Sequence, residues 1–75
     1  MKLLIAEDEP AMSEAVADIL TYHKYIVDVV DNGEDALHYA MSGQNDGLIL
    51  DIMMPKMDGL TALGEMRRRG LRTPA

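Results

Sequence analysis

The chain has 75 residues, enough for one small domain and no more; chains this short bury only about 60% of the surface their unfolded forms expose. A formal net charge of -6 and an isoelectric point near 4.6 argue against nucleic-acid contact by this segment, because neutralising phosphates takes a basic surface. The lack of cysteine excludes disulfides and thiolate metal sites, which fits a cytoplasmic protein.

Lys2 to Ala6 reads as a first strand, apolar and ending in the acids Glu7, Asp8 and Glu9. The run is too short for a signal peptide or a membrane span. Pro10 suits the first position of a helix, where its missing N–H costs nothing. Met12, Ala15, Val16, Ile19 and Leu20 recur at helical spacing and predict a buried stripe, with Ser13, Glu14, Asp18 and Thr21 outward. The pattern fades at Tyr22-His23-Lys24. Tyr25 to Val30 is rich in β-branched residues and reads as a second strand. Asp31-Asn32-Gly33 is a turn signal, and either Asp31 or Asn32 could cap the helix that follows. That helix places Leu37, Ala40 and Met41 on one face and stops at Ser42-Gly43.

After a polar loop, Leu48-Ile49-Leu50 has the continuous apolar character of a strand covered on both faces, and it ends at Asp51. A third helix turns Leu60, Leu63 and Met66 inward. Arg67-Arg68-Arg69 in its last turn complements the negative end of the helix dipole, and Gly70 ends it. Leu71 to Ala75 forms no finished element. The alternation βαβαβα implies a parallel sheet with right-handed crossovers. Residues 1–75 read as one unit without a linker or second domain.

If the strands lie in the order 2-1-3, Glu7 and Asp8 at the end of the first face Asp51 at the end of the third. Carboxylates gathered in one cleft repel one another. A hard divalent cation such as Mg²⁺, which takes oxygen ligands, offsets that repulsion. A carboxylate nucleophile beside Mg²⁺ points to phosphoryl transfer and an acyl phosphate on Asp51. The plainer account is that the first three acids solvate a strand end and cap a helix while Asp51 caps a turn. It is the better account of any one acid alone; the convergence of two acidic strand ends argues against it.

These stretches resemble the receiver domain of two-component response regulators. The resemblance runs through Leu3-Leu4-Ile5-Ala6-Glu7-Asp8-Glu9, through Asp31-Asn32-Gly33-Glu34-Asp35-Ala36-Leu37, and most specifically through Leu50-Asp51-Ile52-Met53-Met54-Pro55-Lys56-Met57-Asp58-Gly59. Tyr25 to Leu37 looks most like the OmpR type. The resemblance implies a flavodoxin-like (CheY-like) fold, here cut to βαβαβα with strand order 2-1-3. It implies that Asp51 is the phosphoacceptor, that Glu7, Asp8 and Asp51 bind Mg²⁺ with the backbone carbonyl of Met53, and that Pro55 and Gly59 shape the loop. The implied partner is a sensor histidine kinase, with a DNA-binding domain in the full-length parent and no membrane contact. The implied role is a phosphoacceptor signalling domain, not an enzyme, phosphorylating itself from small phosphodonors at most.

The family pattern continues into a fourth and fifth strand, and this sequence ends where the fourth should begin. The switch hydroxyl and the lysine of those strands have no counterpart here, and Lys56 is no substitute. The third strand is therefore expected to present an apolar sheet edge, which predicts a homodimer or intertwined oligomer completed by a second copy. A rival reading follows: a truncated, self-associating interaction fragment without phosphotransfer. A hydrolase with an aspartate nucleophile is disfavoured, since such an enzyme wants an acid two residues after Asp51 and has Met53 instead. His23 and His38 lack ligand spacing and read as surface residues; Met53, Met54 and Met57 read as packing residues before they read as a binding surface.

Overall fold

The apolar runs form three strands, β1 (Lys2–Ala6), β2 (Ile26–Val30) and β3 (Gly47–Leu50), in a computed structural model that describes residues 1–75. Helices α1 (Pro10–Tyr22), α2 (Gly33–Ala40) and α3 (Gly59–Arg68) follow β1, β2 and β3 in turn. The sheet is parallel, as the alternation predicts, and its order β2-β1-β3 is the one the resemblance implies. Ala6 is level with Val30 on one side and Leu50 on the other, so all three strands end on one line. Strand β2 starts one residue later than predicted. The Tyr25 amide is taken by the Leu20 carbonyl as α1 closes, and Lys24 before it turns through φ 69°.

Side chains alternate across the sheet. On one face Leu4, Ala6 and Leu48 join Ala36, Leu37 and Ala40 of α2 and Ala62 and Met66 of α3 in the main core. The other face carries Ile5, which is 1% exposed, beside Val29 and Ile49, which remain 45% and 41% exposed. Only α1 covers that face, and it lies over β2 and β1. The stripe predicted for α1 is therefore corrected. Ser13 is buried and Val16, Ala17 and Leu20 are half-buried, while Met12 and Ile19 face outward. The spacing is helical as expected, but its phase is set by the sheet below, and no second helix flanks α1 to cover the rest. The inward face of α3 is likewise Gly59, Ala62 and Met66 with Leu63 half-buried; Leu60 is exposed, because the helix start is pressed against backbone and only small residues fit beneath it.

Each helix start is capped by a side chain. Glu9 accepts from the Ala11 amide ahead of α1, Asn32 from Asp35 ahead of α2, and Asp58 from Thr61 ahead of α3. Between the two candidates for the second cap, the chain uses Asn32. Its Nδ2 also donates to the carboxylates of Asp31 and Asp35, and it is 3% exposed. The amide and hydroxyl of Thr61 both donate to Asp58 and hold its carboxyl below the usual range. At the far end of α3, Arg68 and Arg69 hydrogen-bond Glu65 and draw its carboxyl down to about 2. His23 and His38 are exposed, and His23 sits edge-on to Tyr22.

The outer edge of β3 is only partly open, in contrast to the wholly bare edge expected. The segment after α3 returns along it, and the Leu48 amide donates to the Pro74 carbonyl at 2.8 Å. Strand amides alternate in direction. Since the Asp51 amide bonds the Ala6 carbonyl, the Leu50 amide points to the edge beyond the reach of that segment.

Replacing Asn32 by alanine removes a buried cap and leaves Asp31 and Asp35 without their shared donor. We expect Asn32→Ala to lower stability by about 1–2 kcal/mol, read from the urea midpoint at unchanged slope. Asn32→Ser, which keeps an acceptor, should lose less.

Candidate functional site

The parallel register, with Ala6 level with both Val30 and Leu50, puts the site at the strands' common end. Glu7 and Asp8 follow β1, and Asp51 follows β3, one step beyond the Ala6 and Leu50 pair. The main chain fixes this: the Glu7 amide donates to the Val30 carbonyl at 3.0 Å and the Asp51 amide to the Ala6 carbonyl at 2.9 Å. One carboxylate oxygen from each of Glu7, Asp8 and Asp51 lies within 4.8 Å of the others. Asp8 is exposed, whereas Glu7 and Asp51 are half-buried.

No lysine or arginine pairs with any of the three; the ion pairs of the chain lie at Asp28 and Glu65. The Glu7 carboxyl is pushed up, first by partial removal from water and then by the negative charges of Asp51 and Asp8, against a hydrogen bond from the Glu9 amide. Glu9 alone behaves as the plainer account supposed, as a helix cap. The side chains of Asp8 and Asp51 cap nothing. Three oxygen donors crowded together without a counter-charge are the donor chemistry that suits a hard divalent cation.

The loop after β3 is tied back toward the site. The Gly59 amide donates to the Ile52 carbonyl at 2.8 Å, and the Met57 amide to the Pro55 carbonyl at 2.7 Å around Lys56, whose φ is 66°. Met53 lies two residues past Asp51, is 79% exposed, and its carbonyl accepts no hydrogen bond from the protein. Met54 and Met57 pack against the core from this loop, as the sequence suggested. A cleft of about 440 Å³ runs from Glu7 and Asp8 to Ser13, Asp31, Asp35 and Tyr39, and another of about 610 Å³ opens between Asp8, Asp58, Ile52, Met53 and Leu60.

Two glycines matter here in a way that spacing alone did not disclose. A Cβ on Gly59 would lie 1.9 Å from the carbonyl oxygen of Asp51, and one on Gly33 would lie 1.9 Å from that of Met57. Neither is a matter of unusual φ. Both allow two backbones to touch: Gly59 seats α3 against the phosphoacceptor candidate, and Gly33 seats the loop against α2. The turn signals were legible, but their purpose was not.

A parallel sheet in the order 2-1-3 with acids at the ends of its first and third strands defines an α/β domain with its site at the carboxyl edge. Residues 3–75 match the family described as the response regulator receiver domain, and the chain belongs to that family. Its curated relatives include the transcriptional regulatory protein DltR of Streptococcus agalactiae, 43% identical over 74 residues, which cover 99% of this chain and 33% of DltR. Another is the transcriptional regulatory protein CusR of Escherichia coli, 48% identical over 59 residues, or 79% of this chain and 26% of CusR. The chain thus spans about a third or less of these relatives. The response regulator TrrA of Thermotoga maritima, solved with Mg²⁺ and BeF, superposes with a TM-score of 0.86 at 39% identity, over 92% of this chain and 60% of that one. A Francisella receiver domain superposes with a TM-score of 0.93 at 26% identity, over 97% of this chain and 60% of that one.

Two outcomes test this geometry. Glu7 holds its proton more tightly in the folded chain than in the unfolded one. Its contribution to stability is therefore complete below the ordinary value of 4.5 and is lost as pH rises through the raised one. In buffer free of divalent ions, urea unfolding from about pH 4 to pH 7 should show the native chain losing stability relative to Glu7→Gln. Parallel pH curves for the two would refute the raised Glu7 carboxyl, which partial removal from water and the charges of Asp51 and Asp8 together produce. Gly59→Ala should destabilise the fold and broaden or shift the amide resonances of Asp51 and Ile52, while Gly64→Ala, with open space at its Cβ, should leave them in place.

Proposed function

We propose that residues 1–75 supply the first three β/α units of a phosphoacceptor receiver domain, with Asp51 taking a phosphoryl group from a sensor histidine kinase. One observation carries the reading: three carboxylates from two adjacent strand ends converge within 4.8 Å with no protein cation among them. Glu7, Asp8, Asp51 and the Met53 carbonyl would hold Mg²⁺. The bound ion supplies neutralising charge for the transferring phosphoryl oxygens. Asp51, half-buried at the end of β3, would present a carboxylate oxygen to phosphorus. An O–P bond forms as the P–N bond of the kinase phosphohistidine breaks, and the imidazole nitrogen keeps the electron pair and takes a proton from solvent. With a small acyl phosphate as donor, the same attack releases a carboxylate.

TrrA, solved with Mg²⁺ and BeF, has also been solved in complex with the histidine kinase ThkA; that chain is 40% identical to this one with a TM-score of 0.83. DltR and CusR are named as transcriptional regulators, which supports a parent protein that passes the phosphorylated state to transcription through a DNA-binding domain. No helix is long and apolar enough to cross a membrane, and the proposed setting is cytoplasmic.

A second reading, self-association through β3, is favoured by the edge-facing Leu50 amide and the exposed Ile49 beside it. In light scattering across a dilution series, a monomer persisting at micromolar concentration would end it.

The phosphoacceptor reading is tested by incubation with Mg²⁺ and acetyl phosphate, followed by mass spectrometry. One phosphoryl adduct is expected, absent from Asp51→Asn and absent when the ion is chelated; an adduct that survives in Asp51→Asn would overturn the assignment. Mg²⁺ should also raise stability by about 2.7 kcal/mol at a hundredfold excess over its dissociation constant, and Asp8→Ala should abolish most of that gain.

A further inference from the structure

We infer that Arg67 is a register clamp: its guanidinium, bonded to the main-chain carbonyls of Leu71 and Thr73, fixes the segment after α3 on the outer edge of β3 and denies that stretch of edge to any other strand. The neighbouring Arg68 and Arg69 both turn to Glu65, and Arg67 has no carboxylate partner. Instead its Nη1 donates to the Leu71 carbonyl and its Nη2 to the Thr73 carbonyl, each at 2.8 Å. Carbonyls two residues apart on an extended chain point the same way, and those between and beyond them point the other way. Leu71 and Thr73 thus address Arg67, and Pro74 addresses β3, where its carbonyl receives the Leu48 amide at 2.8 Å.

Side-chain burial follows the same parity. Leu71 and Thr73 are half-buried, Arg72 and Pro74 exposed, and Leu71 packs against the core. A slip of one residue would turn the wrong carbonyls to the guanidinium and lift Leu71 from its place. The turn into the segment is fixed as well, by Gly70 at φ 91° and by the Leu71 amide on the Met66 carbonyl at 3.0 Å. A rigid two-pronged donor meets two parallel carbonyls; a lysine ammonium has no such fork.

The clamp is tested by amide hydrogen exchange on the intact chain, with the Asp51 amide, bonded to Ala6 on the opposite side of β3, as internal reference. Arg67→Lys and Arg67→Ala should each speed exchange at Leu48 by about tenfold or more relative to Asp51. Arg68→Ala should leave that ratio unchanged. The inference is overturned if Arg67→Lys alters Leu48 no more than Asp51, or if Arg68→Ala alters the ratio as much. Should Arg67→Ala fail to fold, the lysine variant, which keeps charge and length, decides alone.

Discussion

Hydrogen bonding between β1 and β3 forces like charges together. The strands are parallel and end level, so the residues that follow them leave the sheet side by side, and in this chain those residues are Glu7, Asp8 and Asp51. The side chains would separate if they could. They stay because the Glu7 and Asp51 amides are spent on Val30 and Ala6, in a sheet whose core depends on the same register. The Glu7 carboxyl is raised first by its partial removal from water and then by the neighbouring charges of Asp51 and Asp8.

Around this point the structure consists of close approaches. Gly59 lets α3 begin against the Asp51 carbonyl, and Gly33 lets α2 begin against the loop that carries Met57. Asp58 and Asn32 then cap the two helices from within a few residues of those contacts. The stretch from Asp51 to Gly59 is thereby held at both ends, with Met54 and Met57 anchored in the core and Met53 left outside. Met53 lies two residues past Asp51, and its carbonyl accepts no hydrogen bond from the protein.

The two faces of the sheet are unequal. The face under α2 and α3 is closed by small and large residues in turn, Ala36, Ala40 and Ala62 with Leu37 and Met66. The face under α1 is closed only over Ile5, and Val29, Ile49, Met12 and Ile19 are left in contact with solvent. That imbalance belongs with the open half of the β3 edge: the exposed Ile49 precedes Leu50, whose amide faces that open stretch. The Arg67 clamp governs the other half of the edge, so one strand is guarded at its start and open toward Asp51.

Much of this was legible in the residues. The apolar runs and their breaks gave three strands and three helices within a residue or so; the alternation gave a parallel sheet, and the order 2-1-3 came from the resemblance to receiver domains. The acidic ends of the first and third runs named Glu7, Asp8 and Asp51 because a strand's last residue must emerge at the sheet edge whatever packs around it. What one-dimensional spacing could not fix was phase and proximity. Periodicity tells that α1 has an apolar stripe, but whether it turns Met12 or Ser13 inward depends on the surface beneath it. The clash that reserves positions 33 and 59 for glycine exists only once backbones distant in sequence meet. The donors of Arg67 found carbonyls rather than a carboxylate only because the chain reverses at Gly70. Local chemistry decided the elements and the acids; the meeting of separated segments decided which faces, gaps and donors they would use.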